Sequence, residues 1–211
     1  MPDHDNRFFT KRFGPEAFSD GDTSLSYSMN DFWSWSYSNI MFNTIRGDLG
    51  EFIIYKALEG ELSNKHYSLR RDGDVCDFQI DDICIEVKTA SYIQAWEQND
   101  KPYSDINFDI ARREDYDFNT GKPIKGSKKR WANIYVFCLL NEKNRDLVNP
   151  LDISQWKFWV VSTSEITRVR KDKEKLPIGQ LESVNPIESN HADLLHNIKE
   201  TYNKYIGQPY S

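Results

Sequence analysis

The chain has 211 residues, a formal net charge of −6, and contents of 38% hydrophobic and 14% aromatic residues. This content is sufficient for a packed core and excludes wholesale disorder. No apolar run approaches the roughly 20 residues of a membrane span, and the first residues lack a basic-then-apolar signal pattern. We therefore expect a cytoplasmic protein without membrane contact.

The N-terminal quarter predicts an arm followed by two helices. Residues 1–28 are polar and predict an irregular arm, so residues 29–211 are expected to form a single domain. Ser28 or Asn30 is suited to cap a first helix, whose aromatic residues are more typical of a core than of a surface. A second helix is predicted from about Thr44 to Leu58. Its apolar stripe is expected to contain Ile45, Leu49, Phe52 and Ile53.

The segment 75–88 alternates apolar and polar residues and predicts a β-hairpin around an Asp81-Asp82 turn. A two-residue loop pairs residues whose numbers add to 163, so one face of the hairpin is apolar. Asp77 and Glu86 then stand opposite each other on the other face, with Lys88 two residues further along. Directly opposed like charges are destabilising, and a bound divalent cation would explain the pair. The alternative is a solvated strand face with a Glu–Lys pair.

The rest of the chain predicts further strands and a C-terminal helix. Tyr67–Arg70 is expected to form a short strand, and residues 91–98 a helical turn. Strands are expected at 106–110, 134–140 and 156–161, with the second buried at the centre of a sheet. A basic loop over 111–130, a short helix after Ser164 and a final helix from about 187 or 192 to 205 complete the prediction. The fold class is α/β, with a mixed central β-sheet flanked by helices.

Three cysteines, Cys76, Cys84 and Cys138, fall in predicted strands. An odd number of strand cysteines in a cytoplasmic protein predicts reduced core thiols rather than disulfides. No paired Cys or His spacing indicates a structural zinc site.

Glu51 is a candidate third acid because Gly47 and Gly50 lie close to it on the same helix. Glycine costs about 0.8–1 kcal/mol against alanine in a helix, so two of them suggest close approach to another element. A carboxylate there could reach the metal site. The alternative is a surface glutamate beside a glycine packing face.

A helix Glu51, a strand Asp77 and a strand Glu86-Val87-Lys88 together resemble the PD-(D/E)xK nuclease superfamily, which includes restriction endonucleases and junction resolvases. The match covers about residues 44–98, although Cys76 stands where the family often has proline. The resemblance implies a restriction-endonuclease-like fold, with Asp77 and Glu86 as Mg²⁺ ligands, Lys88 as the catalytic lysine and Glu51 as an auxiliary acid. It also implies a catalytic glutamine, Gln94 first and Gln98 second. Mn²⁺ is expected to substitute for Mg²⁺.

Basic residues supply the expected DNA contacts, because phosphate contacts dominate non-specific affinity. The alternative for the basic loop is plain solvation, and the single Arg46 is a weak indication. The candidates are Arg46, Lys125, Lys128, Lys129 and Arg130.

The sequence as a whole predicts a Mg²⁺-dependent DNA endonuclease most like a restriction enzyme. The alternatives are a structure-specific nuclease acting on junctions or in repair, and a catalytically silent DNA-binding module of the same fold. Because cutting two strands at a symmetric site favours twofold symmetry, a homodimer is expected.

Overall fold

The computed structural model describes residues 11–62, 76–98, 101–117, 120 and 122–205. Two 3₁₀ segments, Ile153–Gln155 and Ile178–Val184, supplement the regular elements. In chain order the strands and helices are β1 (Ala17–Asp20), β2 (Thr23–Ser28), α1 (Met29–Tyr37), α2 (Asn43–Leu58), β3 (Phe78–Ile80), β4 (Ile83–Ser91), β5 (Asn107–Asp109), β6 (Arg113–Asp117), β7 (Lys122–Lys129), β8 (Ile134–Leu140), β9 (Trp156–Ser162), α3 (Thr163–Arg170), β10 (Lys175–Pro177), β11 (Ile187–Ser189) and α4 (Leu194–Tyr205).

A mixed five-stranded sheet in the order β11-β9-β8-β4-β3 forms the centre of the fold. β4 and β8 run parallel, and the other neighbours are antiparallel. The middle strand β8 is buried at all seven residues, as its continuous apolar run predicts, because a strand covered on both faces has no solvated side.

Separate apolar cores cover the two faces of the sheet. On one face α2 and α4 pack through Ile54, Leu58 and Ile198. On the other face α3 contributes Ile166, while β5 contributes Phe108. The predicted fold class, a mixed sheet flanked by helices, is confirmed.

Helix α2 has the predicted bounds to within one residue, but its buried face is rotated from the predicted stripe. Phe52, expected in that stripe, is 57% exposed, whereas Ile54 is fully buried. Gly50 faces β4 so closely that a Cβ built on it would overlap Thr89 Oγ1, whereas Gly47 faces open space. The predicted close approach is therefore confirmed at Gly50 alone.

Helix α1 begins as predicted, and Asp31 Oδ2 accepts hydrogen bonds from the Ser28 backbone N–H and hydroxyl, both at 2.7 Å. No residue of α1 is buried, and Trp35 is 84% exposed. The expectation that these aromatic residues belong to a core is wrong. The preceding residues 17–28, predicted as irregular, form the β1–β2 hairpin.

Three other predictions differ from the fold. Residues 113–117 and 122–129 pair as the strands β6 and β7 instead of forming a loop. Residues 92–98 follow β4 as bends without a helical turn. Residues 187–189 form β11, so the last helix begins at Leu194. The predicted strand at Tyr67–Arg70 lies outside the described residues. Among the described residues, none of the helices has the length and apolar character that a membrane-spanning segment needs.

Candidate active site

The hairpin that carries the candidate acids has the predicted turn, and the predicted register holds from Phe78 to Ile85 but does not extend to the expected Asp77–Glu86 pair. Phe78 pairs with Ile85 and Ile80 with Ile83, and these four side chains are buried. Asp81 occupies the left-handed region, with φ of 49°, which Asp tolerates better than most residues. The side chains of Glu86 and Lys88 project from the other face of β4, because side chains alternate along a strand.

The regular pairing of β3 with β4 extends to Phe78 and does not include Asp77, the residue just before β3. The Asp77 N–H donates to the Ile85 carbonyl at 2.9 Å, and Asp77 Oδ2 accepts from the Val87 N–H at 2.7 Å. An uninterrupted ladder would give that Val87 donor to the backbone carbonyl of residue 76. The carboxylate therefore substitutes for a backbone acceptor at the open end of the hairpin and is fixed beside β4.

This departure moves Cys76 to the opposite face from the predicted one. Cys76 joins the core that contains Phe108 and forms a disulfide with Cys84, across a Cα–Cα distance of 5.8 Å. The expectation of reduced thiols is wrong for this pair, because the break in the ladder brings Cys76 beside a residue it would not face in regular pairing. Cys138 remains a buried free thiol.

Asp77 lies in an unfavourable environment for a charge. Burial raises its pKa from the usual 3.8 to about 7, and the carboxylates of Glu86 and Glu51 act in the same direction. The Val87 N–H and the Lys88 ammonium oppose this rise. The structure thus brings Asp77, Glu86, Glu51 and Lys88 into one electrostatic neighbourhood.

Close packing of α2 on the sheet places Glu51 in this group. Gly50 lies against Thr89 of β4, so the next residue, the half-buried Glu51, approaches the strand that carries the other candidates. Glu51 and Asp77 also raise the pKa of the Cys138 thiol, whose rise is due mainly to burial. Both acids therefore lie close enough to Cys138 to act on its thiol electrostatically.

Glu86 and Lys88 form an ion pair with each other and line a cleft of about 270 Å³, including its open mouth. Asp77 and Glu51 are not among the lining residues. Glu86 is in register with Tyr135 of β8, and burial together with the Glu86 carboxylate raises the Tyr135 pKa. The remaining lining residues are Asp109, Ala111, Arg113, Lys129, Arg130 and Trp131.

The far wall of the cleft is formed by Arg113 and Lys129, the paired residues at the open end of the β6–β7 hairpin. Four basic and two acidic side chains line the cleft, so its formal charge is positive although the whole chain is acidic. The predicted DNA-contact residues Lys125, Lys128 and Lys129 are exposed along β7. Of these three lysines, Lys129 lines the cleft together with Glu86 and Lys88, whereas Lys125 and Lys128 are not among its lining residues.

Arg130 and Arg46 occupy buried positions, 8% and 4% exposed. Arg130 donates to the carbonyls of Ile110 at 2.8 Å and of Lys171 and Lys173 at 2.9 Å, and so joins three loops. Burial lowers the pKa of both guanidinium groups. Both arginines have structural partners, and only Arg130 lines the cleft.

Arg46 and the candidate glutamine Gln94 contact each other away from the cleft. Arg46 Nη1 donates to the Met41 carbonyl at 2.7 Å, and Nη2 donates to Asn43 Oδ1 at 2.6 Å and to Gln94 Oε1 at 3.3 Å. Gln94 Nε2 donates to the Ser91 carbonyl at 2.7 Å. The second choice, Gln98, accepts from the Gln94 N–H at 3.0 Å. These contacts tie the start of α2 to the end of β4.

The donor set bears on a metal in two ways. Within the described residues, no three His, Cys, Asp or Glu side chains converge as a metal-binding group. The carboxylates of Glu86 and Glu51 nevertheless disfavour the charged form of Asp77, and a divalent cation would relieve that repulsion. Mg²⁺ commonly binds to one or two protein carboxylates and completes its shell with water and phosphate oxygens, so Asp77 and Glu86 fit this ion.

The predicted site lacked five of the lining residues, namely Asp109, Ala111, Arg113, Trp131 and Tyr135. Asp109 and Tyr135 belong to strands far from the hairpin in sequence, and only sheet assembly brings them together. Trp131 directly follows the predicted basic run, and this position was a sequence indication that it belongs with the cleft.

Comparison with known proteins gives no relative: no family model, curated protein or solved structure matches this chain.

Proposed function

We propose that this protein is a Mg²⁺-dependent endonuclease that hydrolyses DNA phosphodiester bonds, with a restriction-endonuclease-like fold. The observation that carries the proposal is the grouping of Asp77, Glu86 and Glu51 with Lys88. Glu86 and Lys88 open onto a cleft whose charged lining residues are mostly basic. Acids that repel each other beside a basic cleft suit a metal ion and an anionic substrate.

Each residue has a role in this proposal. Asp77 and Glu86 would hold the ion, which as a Lewis acid would lower the pKa of a bound water and polarise the phosphate. Lys88, already paired with Glu86, orients the attacking water and stabilises charge on the phosphate. Glu51 assists from α2, directly or through water. The exposed lysines of β7 contribute phosphate contacts whose strength falls with salt.

A cleavage panel tests the proposal. Purified protein is incubated with Mg²⁺, Mn²⁺ or EDTA and supercoiled plasmid, linear duplex, four-way DNA, flapped DNA or RNA. We expect metal-dependent cleavage of DNA, reduced at least about 10²-fold by Lys88→Ala, as is usual when a group that assists proton transfer is lost. Lys157→Ala is the matched control, because Lys157 is also a strand lysine paired with a glutamate, Glu188. If no nucleic acid is cut, or if Lys88→Ala cuts as well as wild type, the proposal fails.

Two alternatives are separated by the same panel. A structure-specific nuclease would cut branched or flapped DNA and spare linear duplex. A silent DNA-binding module would bind DNA without cutting it and would gain no stability from Mg²⁺ or Mn²⁺. The expected homodimer is tested separately by sedimentation with and without DNA.

A further inference from the structure

The indole ring of Trp131 lines the cleft that contains Glu86 and Lys88, and two contacts orient it there. Its indole Nε1 donates to the Arg113 carbonyl on β6 at 2.9 Å. The Lys129 ammonium on β7 lies 4.0 Å from the centre of its ring system. Both strands of the hairpin therefore orient a ring that is only half-buried.

Lys129 differs from the other cations of the cleft in its partners. Lys88 is paired with Glu86, and Arg113 with Asp109. The ammonium of Lys129 has no carboxylate within ion-pair distance anywhere in the described part of the chain, and its side chain is exposed. It is thus available to a phosphate next to the Trp131 ring.

We propose that Trp131 and Lys129 form a nucleotide subsite, in which an unpaired base stacks on the face of the indole that Lys129 does not cover, while Lys129 contacts a phosphate of the same strand. A base within duplex DNA is already stacked on both faces, so only an unpaired base can stack on the indole ring of Trp131. The subsite rests on the proposed function, because the nucleic-acid strand bound there would continue to Glu86 and Lys88. It narrows the substrate to DNA with single-stranded character beside the cut, such as a flap, a junction or a single strand.

Binding without cleavage tests the subsite independently of catalysis. Fluorescence anisotropy in EDTA compares a labelled 12-nucleotide single strand, a flapped duplex and a blunt duplex of the same sequence. Trp131→Ala is expected to weaken binding of the single strand and the flap by about 5- to 150-fold, the usual range for loss of one base-stacking contact. The blunt duplex should change less than about twofold. Trp35→Ala, at an 84% exposed tryptophan of α1, is the control and should change neither.

Trp131→Phe separates stacking from a purely structural role. Phenylalanine keeps an aromatic face but loses the hydrogen bond to Arg113, so it should retain most single-strand affinity. If the indole only pins the hairpin, Trp131→Phe will lose as much affinity as Trp131→Ala. Lys129→Gln should weaken single-strand binding and reduce the salt dependence by about one phosphate contact, which keeps the test valid if Trp131→Ala does not fold.

The two proposals fail in different ways. Metal-dependent cleavage with equal affinity of Trp131→Ala, Lys129→Gln and wild type for single strands would overturn the subsite and leave the nuclease intact. Trp131-dependent binding of single strands without any cleavage would support the subsite and overturn the nuclease.

Discussion

Replacing Asp77 with asparagine should stabilise the metal-free protein at neutral and alkaline pH. The folded state raises the Asp77 pKa from 3.8 to about 7, mainly by burial and then by the carboxylates of Glu86 and Glu51. The folded protein therefore holds this proton more tightly than the unfolded chain does. Stability from this group is present at low pH and is lost as pH rises from about 4 to about 7.

The magnitude follows from the two pKa values. At 1.36 kcal/mol for each pH unit, the difference between 3.8 and about 7 corresponds to about 4 kcal/mol. Asparagine has nearly the same shape and keeps an oxygen that can accept from the Val87 N–H. Asp77→Asn should therefore exceed the stability of wild type by only about 1 kcal/mol at pH 4.5, where the unfolded carboxyl is already largely ionised, and by up to about 4 kcal/mol at pH 8.

Urea unfolding in EDTA at pH 4.5, 6, 7 and 8 measures this difference. Other acids titrate equally in both proteins, so they cancel when the two free energies of unfolding are subtracted. Asp82→Asn is the matched control, because it removes an exposed carboxylate from the turn of the same hairpin. Its effect should stay within about 0.5 kcal/mol at every pH.

An Asp77→Asn effect that does not change between pH 4.5 and 8 would refute the raised pKa of Asp77, and with it the argument from burial and from the neighbouring carboxylates. Adding Mg²⁺ extends the test, since an ion bound by Asp77 and Glu86 relieves their repulsion. At a concentration ten times its dissociation constant, Mg²⁺ should stabilise the wild type by about 1.4 kcal/mol at pH 8. It should stabilise Asp77→Asn much less.

Two other substitutions test the supports of the site. Gly50→Ala should lower the free energy of unfolding in urea by about 1–3 kcal/mol, because the added Cβ would overlap Thr89. Gly47→Ala, which faces open space on the same helix, should be neutral or stabilising. Equal effects of the two substitutions would contradict the packing argument. Reducing the Cys76–Cys84 disulfide should lower the free energy of unfolding by roughly 2.5 kcal/mol, the loop-closure value for a loop of about nine residues. The stability of Cys76→Ser should not change with dithiothreitol, and a wild type whose stability is equally unchanged would argue against the disulfide.

Local pattern was sufficient for the elements that bury a face of their own. Continuous apolar sequence in 134–140 identified the central strand, and alternation around Asp81-Asp82 identified the hairpin and its register as far as Phe78. The glycine at position 50 indicated a close helix contact. These features depend on the periodicity of side chains and on backbone propensity, which a short stretch of sequence contains.

The details at Asp77 depended on longer-range contacts. Pairing arithmetic placed Cys76 opposite Val87, but the Asp77 carboxylate takes the Val87 N–H and the ladder breaks there. The break moves Cys76 beside Cys84. A side chain that competes with the backbone for one donor changes which face its neighbour occupies, and hydrophobic alternation contains no information about that competition.

By itself, the sequence determined which residue types stand close together along the chain: the acids and lysine of one hairpin and the lysines of one basic run. Tertiary structure alone decided which of them share a site. The parallel pairing of β4 with β8 brings Glu86 beside Tyr135. Asp109 of β5 lines the same cleft, as do Arg113 at the open end of the β6–β7 hairpin and Trp131 just after it. The same packing buries Arg46 and Gln94 together elsewhere. Side chains distant in sequence meet only when sheet order and helix packing fix their positions, and a linear pattern does not specify that order.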